Sequence, residues 1–301
     1  MGYQKIKVEP LAGSIGAEIH GVDLSQDLDN QTFSEIRRAF DENIVIFFRD
    51  QNITPEQHLA FGGRFGAFDV HPFAAGLPEH PEILPIIKEA DDEFRAFGSG
   101  WHSDVTFYER PPLGSILYAL QSPERGGDTM FANMCLAYDK LSDGLKEMLD
   151  GMTAIHSAGD TYGTRNSGAM RRKEFGGKSM TIRYGDDADA EMEHPVIRTI
   201  PETGRKALFV NRTYTKYFKG WSREESQPLL EYLWNHAIQA EFTCRFRWRR
   251  GSIAFWDNRC TLHSAINDYD GQRREMHRVT IIGERPFLAA DGDAPRATAA
   301  A

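Results

Sequence analysis

His102 and Asp104 stand two residues apart in Trp101-His102-Ser103-Asp104, and a second histidine answers them far downstream, in Thr261-Leu262-His263-Ser264. Two imidazoles and one carboxylate on one face of an iron ion form the facial triad of non-haem Fe(II) oxygenases, with three positions left open. On a β-strand, side chains two apart leave the same face, so the spacing predicts that His102 and Asp104 share one. The third ligand can come from any distance if the fold returns it. The same donors with a water also suit Zn(II), so a zinc-dependent hydrolase or cupin-type isomerase stands beside the oxygenase. A single H-x-D triplet among ten histidines is a weak signal.

The surroundings of these residues narrow the choice. Arg274 and Arg278 follow His263 after eleven and fifteen residues, in Gln272-Arg273-Arg274-Glu275-Met276-His277-Arg278. A guanidinium is a planar fork matched to a carboxylate or another oxyanion. Four residues apart on a strand, both would point to one side. A Gly126-Gly127-Asp128 turn leads into Thr129, whose hydroxyl adds one further donor. Taken singly, each residue has a blander reading. Gly126 to Asp128 is a turn signal, and Thr129 is a strand former. Arg273 is a solvated cation, and His277 packs locally. His156, His194 and His236 are structural or surface histidines, and Cys260 is a core thiol. His71, in Val70-His71-Pro72-Phe73, is a second-tier site candidate beside a proline turn.

These groups need a scaffold, and the chain has the means to build one. Its 301 residues, 41% hydrophobic and 26% charged, can bury a substantial core. Short strands are expected at Ile6 to Val8, Ala17 to Ile19 and Ile44 to Phe48, with helices at Asn30 to Asn43 and from Pro55 towards Arg64. Beyond residue 80 strands dominate: Ile83 to Ile87, Gly114 to Leu120, Ala207 to Val210, Thr243 to Trp248, Ser252 to Trp256 and Arg278 to Ile282. Two helices are expected among them, near Ala137 to Gly151 and Glu224 to Gln239. The fold class read from this pattern is α+β, mainly β: a double-stranded β-helix (jelly-roll) core with flanking helices. One domain spans 1–290, with a lid loop near 159–178 and a flexible tail at 291–301.

The net charge of −9 argues against a nucleic-acid partner, and no apolar run approaches the roughly 20 residues of a membrane helix. Three cysteines without C-x-x-C spacing and a strand-like start without a signal-peptide core point to a cytoplasmic setting.

The ordered blocks Trp101 to Phe107, Gly126 to Thr129, Trp256-Asp257-Asn258-Arg259 and Gln272 to Ile281 resemble the taurine dioxygenase family of Fe(II)- and 2-oxoglutarate-dependent oxygenases. The likeness runs from Gly13 to Phe287. It implies Fe(II) on His102, Asp104 and His263, and 2-oxoglutarate and O2 as cosubstrates, with the far carboxylate of 2-oxoglutarate on Arg274 and Thr129. It also implies an anionic substrate head on Arg278, with His71 corresponding to a sulfonate-contacting histidine. Family members couple oxidative decarboxylation of 2-oxoglutarate to hydroxylation of a small organic anion: an alkyl sulfonate, a sulfate ester or a phenoxyalkanoate-like carboxylate. Hydroxylation next to a heteroatom collapses to a carbonyl product. A homo-oligomer, dimer or tetramer, is the family habit.

Three departures bear on specificity. The taurine enzyme's substrate-contacting tyrosine, asparagine and phenylalanine fall at Ala74, Gly98 and Thr213, which disfavours taurine itself. The alternatives to an oxygenase are the zinc enzyme above and a jelly-roll binding protein without catalysis. Arg274 with Thr129 discriminates against the first, and an intact ligand set against the second.

Overall fold

The structure is a computed structural model that describes residues 2–92, 97–164 and 180–290. In chain order its elements are β1 (Lys7–Pro10), β2 (Ala17–His20), α1 (Asn30–Asn43), β3 (Val45–Phe48), α2 (Pro55–Gly63), β4 (Phe68–Asp69) and β5 (Ile83–Lys88). The middle holds β6 (Pro112–Gln121), β7 (Thr129–Asn133), α3 (Met134–Asp139), α4 (Asp143–Leu149), β8 (Thr153–Ser157), α5 (Gly159–Tyr162), β9 (Glu191–Pro195), β10 (Ile197–Thr199), β11 (Lys206–Leu208) and β12 (Thr215–Phe218). The last stretch holds α6 (Arg223–Ala237), β13 (Thr243–Phe246), β14 (Ile253–Asp257), β15 (Thr261–Ala265) and β16 (Arg274–Ile282). The chain is thus mixed α+β and rich in sheet.

The largest sheet runs β1-β2-β3-β14-β6-β16-β4, with β5 also paired to β16. Period-two alternation gives it two different faces. On β14, Ile253 and Phe255 join the core beneath the helices, while Ala254 and Trp256 join the core on the other side. Phe40 of α1 stacks on Phe255 at 4.0 Å, so the helix closes the first face. That helix begins where Asp29 accepts the Thr32 N–H, and it buries Ile36, Ala39 and Phe40. The second face meets a smaller sheet, β13-β7-β15. Phe47 of β3 stacks on Phe246 of β13 at 4.0 Å and meets Phe131 of β7 edge-on at 5.7 Å. Truncating Phe47 to alanine would cost about 3–5 kcal/mol, because both sheets lose contacts at once.

Several boundaries differ from those expected. The helix expected near Ala137 to Gly151 is two helices, α3 and α4, separated because Ser142 accepts the Leu145 N–H and restarts the chain as a new N-cap. The last strand starts at Arg274 rather than Arg278, so both arginines lie within it. The helix expected from Pro55 is present as α2, with Thr54 as its N-cap and Gln57 completing a capping box.

Of the stretch expected as a lid, 159–178, only residues up to 164 lie within the described residues, and the tail 291–301 lies outside them. Among the described residues no helix is long and apolar enough to cross a membrane.

Candidate metal centre and adjoining cleft

The two sheets bring together what the chain keeps 161 residues apart. His263 sits on β15, and His102 meets it through an isolated antiparallel bridge, His102 N–H to His263 O at 3.0 Å and His263 N–H to His102 O at 2.8 Å. The expectation that His102 and Asp104 share a strand face needs correction. Pairing stops at His102, and the chain turns from Asp104 onward. Val105 there has φ of 37°, a left-handed conformation that is costly for a β-branched residue. The turn still delivers the carboxylate to the imidazoles, because Asn258 Oδ1 accepts the Asp104 N–H at 3.3 Å and Asp104 is held at both oxygens.

One ligand atom from each of His102, Asp104 and His263 lies within 4.8 Å of the other two, and all three residues are buried. His102 Nε2 and His263 Nε2 each stand 3.8 Å from Asp104 Oδ1. His102 Nδ1 lies 2.8 Å from the Gly100 carbonyl, so Nδ1 carries the proton and Nε2 faces the carboxylate with a lone pair. His263 Nδ1 is buried without a partner among the described residues, and Trp256 packs against its ring at 4.8 Å. Burial pushes the His263 imidazole down to about 3 and lowers His102 as well, so both rings are neutral. Burial alone would raise Asp104, but the Arg278 guanidinium and its other neighbours outweigh it and hold the carboxyl below the usual range. Arg278 offsets the carboxylate's charge from one side, but the two imidazole nitrogen lone pairs facing Oδ1 have no proton between them and it. Two neutral nitrogens with one anionic oxygen are donors that a divalent cation takes. The donor set therefore fits a divalent metal.

Arg274 and Arg278 lie on the same face of β16, as expected for residues four apart, and both are buried. Arg278 Nη1 donates to Asp104 Oδ1 at 2.8 Å, and its Nε has no partner among the described residues. Arg274 has no carboxylate within ion-pair distance among the described residues, its Nε is unpartnered, and burial lowers it. Thr129, on β7, lies one pleat from Phe131, the cross-strand partner of His263. Trp248 joins the two groups. Its indole N–H donates to Thr129 Oγ1 at 2.9 Å, and Arg274 Cζ lies 5.8 Å from its ring. The Gly126-Gly127 turn is as expected, with Gly127 at φ +68°. A Cβ there would meet Pro123 at 2.9 Å and the Arg274 side chain at 3.4 Å.

Beside the three converging ligands opens a cleft of about 550 Å³, counting its mouth. Arg278, His71, Tyr162 and Tyr214 line it, and Phe97, Val105 and Ile182 make its wall apolar. His71 Nδ1 accepts the Phe73 N–H at 3.1 Å, which leaves Nε2 as the donor of a ring that burial and Arg278 push down to about 3. Gly98 and Thr213 also line the cleft, while Ala74 pairs with Ile182 behind it. Burial pushes the Tyr162 hydroxyl up to about 12 and raises Tyr214 well above its usual value, so both stay protonated.

Other residues take their bland readings. His156 is buried against Thr106, His194 against the Tyr108 carbonyl and His236 against the Ala137 carbonyl. Cys260 is a buried free thiol. Arg273 is not freely solvated, since it pairs with Glu89 and Glu275. Tyr162, Tyr214, Ser115 and Trp248 were not foreseen, because isolated residues of these types carry no pattern. Asn258 was within reach, five residues before His263 in Trp256-Asp257-Asn258-Arg259.

The chain matches the family described as taurine catabolism dioxygenase TauD, TfdA over residues 7–280. It is 37% identical to the alpha-ketoglutarate-dependent sulfate ester dioxygenase of Pseudomonas putida, over 98% of this chain and 95% of that one. A crystal structure of a taurine dioxygenase from Burkholderia xenovorans is similar with a TM-score of 0.78 and 38% identity, covering 95% of this chain and 93% of that one. The crystal structure of AAD-2 in complex with Mn(II) and N-oxalylglycine is similar with a TM-score of 0.74 and 28% identity, covering 95% of this chain and all of the other, 100%.

Proposed function

Since the chain belongs to the taurine catabolism dioxygenase TauD, TfdA family, and is a 2-oxoglutarate-dependent dioxygenase, we propose that His102, Asp104 and His263 hold Fe(II) and that Arg274 and Thr129 bind 2-oxoglutarate. The observation that carries this reading is the meeting of two neutral imidazoles and one carboxylate at a single buried point. Iron held by these three residues would supply, with 2-oxoglutarate and O2, the oxidising power for hydroxylation of the substrate with release of succinate and CO2.

The rest is placement by the chain's own residues. Arg274 is a buried cation without a carboxylate partner among the described residues, a costly state that a bound dicarboxylate relieves. Thr129, oriented by the Trp248 indole, adds a hydroxyl beside it. A zinc hydrolase has no use for this pair. The N-oxalylglycine of AAD-2 is a dicarboxylate of the same shape as 2-oxoglutarate, which supports the assignment.

Arg278 faces the cleft with one nitrogen on Asp104 and an Nε unpartnered among the described residues, so its fork has donors left for an anion. We assign it, with His71, to the anionic head of the substrate. That substrate is a small organic anion: an alkyl sulfonate, a sulfate ester or a phenoxyalkanoate-like carboxylate. It is oxidised next to its heteroatom, and the product collapses to a carbonyl. Gly98 and Thr213 leave the cleft without the walls a small zwitterion needs, which disfavours taurine. The two facing sheets make up a jelly-roll core in this reading, and the enzyme works as a cytoplasmic homo-oligomer.

The test is anaerobic titration of Fe(II)-loaded protein with 2-oxoglutarate, followed through the visible charge-transfer band of the chelate. A band in the wild type that His102→Ala abolishes supports the reading and opens a substrate screen by succinate release. A folded, metal-loaded protein without a band overturns it.

A further inference from the structure

We propose that Ser115 and Asn258 are positioning residues that decide which oxygen of Asp104 is presented to a metal ion. The inference rests on the metal-site reading above, and its own ground is a directional hydrogen-bond chain behind the carboxylate. Ser115 lies mid-strand on β6 with no exposure, between Trp256 of β14 and Thr280 of β16 in register. A hydroxyl there is costly unless it is bonded, and an alanine or valine would suit the core better.

The direction of the chain follows from its donors. The Trp256 indole nitrogen can only donate, and it does so to Asn258 at 2.9 Å, so the atom that receives it is Oδ1. The amide nitrogen of Asn258 is thereby turned to Ser115 Oγ, at 2.9 Å. With that lone pair used, the Ser115 hydrogen is free for Asp104 Oδ2, at 2.8 Å. Asn258 is itself clamped, because Ser103 Oγ donates to its carbonyl at 2.6 Å and Asp104 N–H to its side chain at 3.3 Å. Oδ2 is thus engaged from behind, while Oδ1, which also accepts from Arg278 Nη1 at 2.8 Å, is the oxygen that faces both imidazoles. The hydrogen-bond chain would thereby offer Oδ1 to a metal ion and keep Oδ2 turned away from it.

The test uses metal-free wild type, Ser115→Ala, Ser115→Thr and Asn258→Ala, titrated anaerobically with Co(II), whose visible d–d bands report affinity and coordination. Loss of such an outer partner weakens metal binding by about 10–100-fold, and that loss is expected for Ser115→Ala, with displaced bands as Oδ2 turns to the ion. Ser115→Thr keeps the hydroxyl and should restore both readings. A folded Ser115→Ala with wild-type affinity and bands overturns the proposal while leaving the metal site standing. If Ser115→Ala does not fold, Asn258→Ala decides by the same two readings. A wild type that takes up no Co(II) overturns the metal site and the positioning role together.

Discussion

Arg278 Nη1 lies 2.8 Å from Asp104 Oδ1, the same oxygen that both site imidazoles face at 3.8 Å. Without a metal, the guanidinium is the cation that offsets this buried carboxylate. A metal ion and an anionic substrate would each draw on that one contact.

Arg278→Gln should therefore destabilise the metal-free protein by about 3–5 kcal/mol, the cost of stranding a buried charge. Added Co(II) should recover more of the loss in the variant than it gains in wild type, because the ion replaces the missing cation. Thermal unfolding with and without Co(II) measures both. Equal metal-induced shifts in the two proteins would contradict the argument.

Arg274→Gln should raise the 2-oxoglutarate concentration needed for half-saturation by on the order of 100-fold or more, since charge-assisted bonds are worth about 1.5–3 kcal/mol each. Thr129→Val removes one neutral donor and should cost about 10-fold. Succinate formation against cosubstrate concentration separates the two. A larger effect at Thr129 than at Arg274 would move the carboxylate site elsewhere.

Metal should stabilise the fold through the three converging ligands. At 100 times its dissociation constant, an ion that binds only the folded state adds about 2.7 kcal/mol. Chelator-treated wild type should regain this on Zn(II) or Co(II) addition, and His102→Ala should not. Denaturant unfolding is the measurement, and stabilisation that survives His102→Ala would place the ion at another site.

Stability should fall on mild acidification. His58 is fully buried on α2, and burial pushes its imidazole from 6.5 down to about 3. Between those values the unfolded chain binds a proton that the folded chain refuses, so its contribution is present above pH 6.5 and lost as pH drops. One such group gives a slope of about 1.4 kcal/mol per pH unit. Urea unfolding at pH 7, 6 and 5 should show a shallower decline for His58→Gln than for wild type. Parallel curves would show that His58 already titrates normally in the folded state.

Much of the site was readable in the chain because its chemistry is carried by residue type and spacing. Two imidazoles and a carboxylate name a class of metal, and arginines four apart on a strand must share a face, which β16 bears out. Ser115 and Tyr214 gave no such signal. A serine in an apolar strand and a tyrosine in a loop acquire a role only through the neighbours that packing gives them.

The residue types and their periodicities by themselves determined the alternation of β14 and β16, the capping of α1 and α2, and the donor set of the candidate site, since these depend on local geometry and side-chain chemistry alone. Only the tertiary structure decided that His102 is bridged to His263 across 161 residues, that Asp104 is presented by a strained turn rather than a strand, and that Trp248 lies between Thr129 and Arg274. Those contacts follow from sheet-on-sheet packing and from the cost of leaving buried polar groups unbonded. Both act across the whole fold, so no local stretch of sequence reveals them.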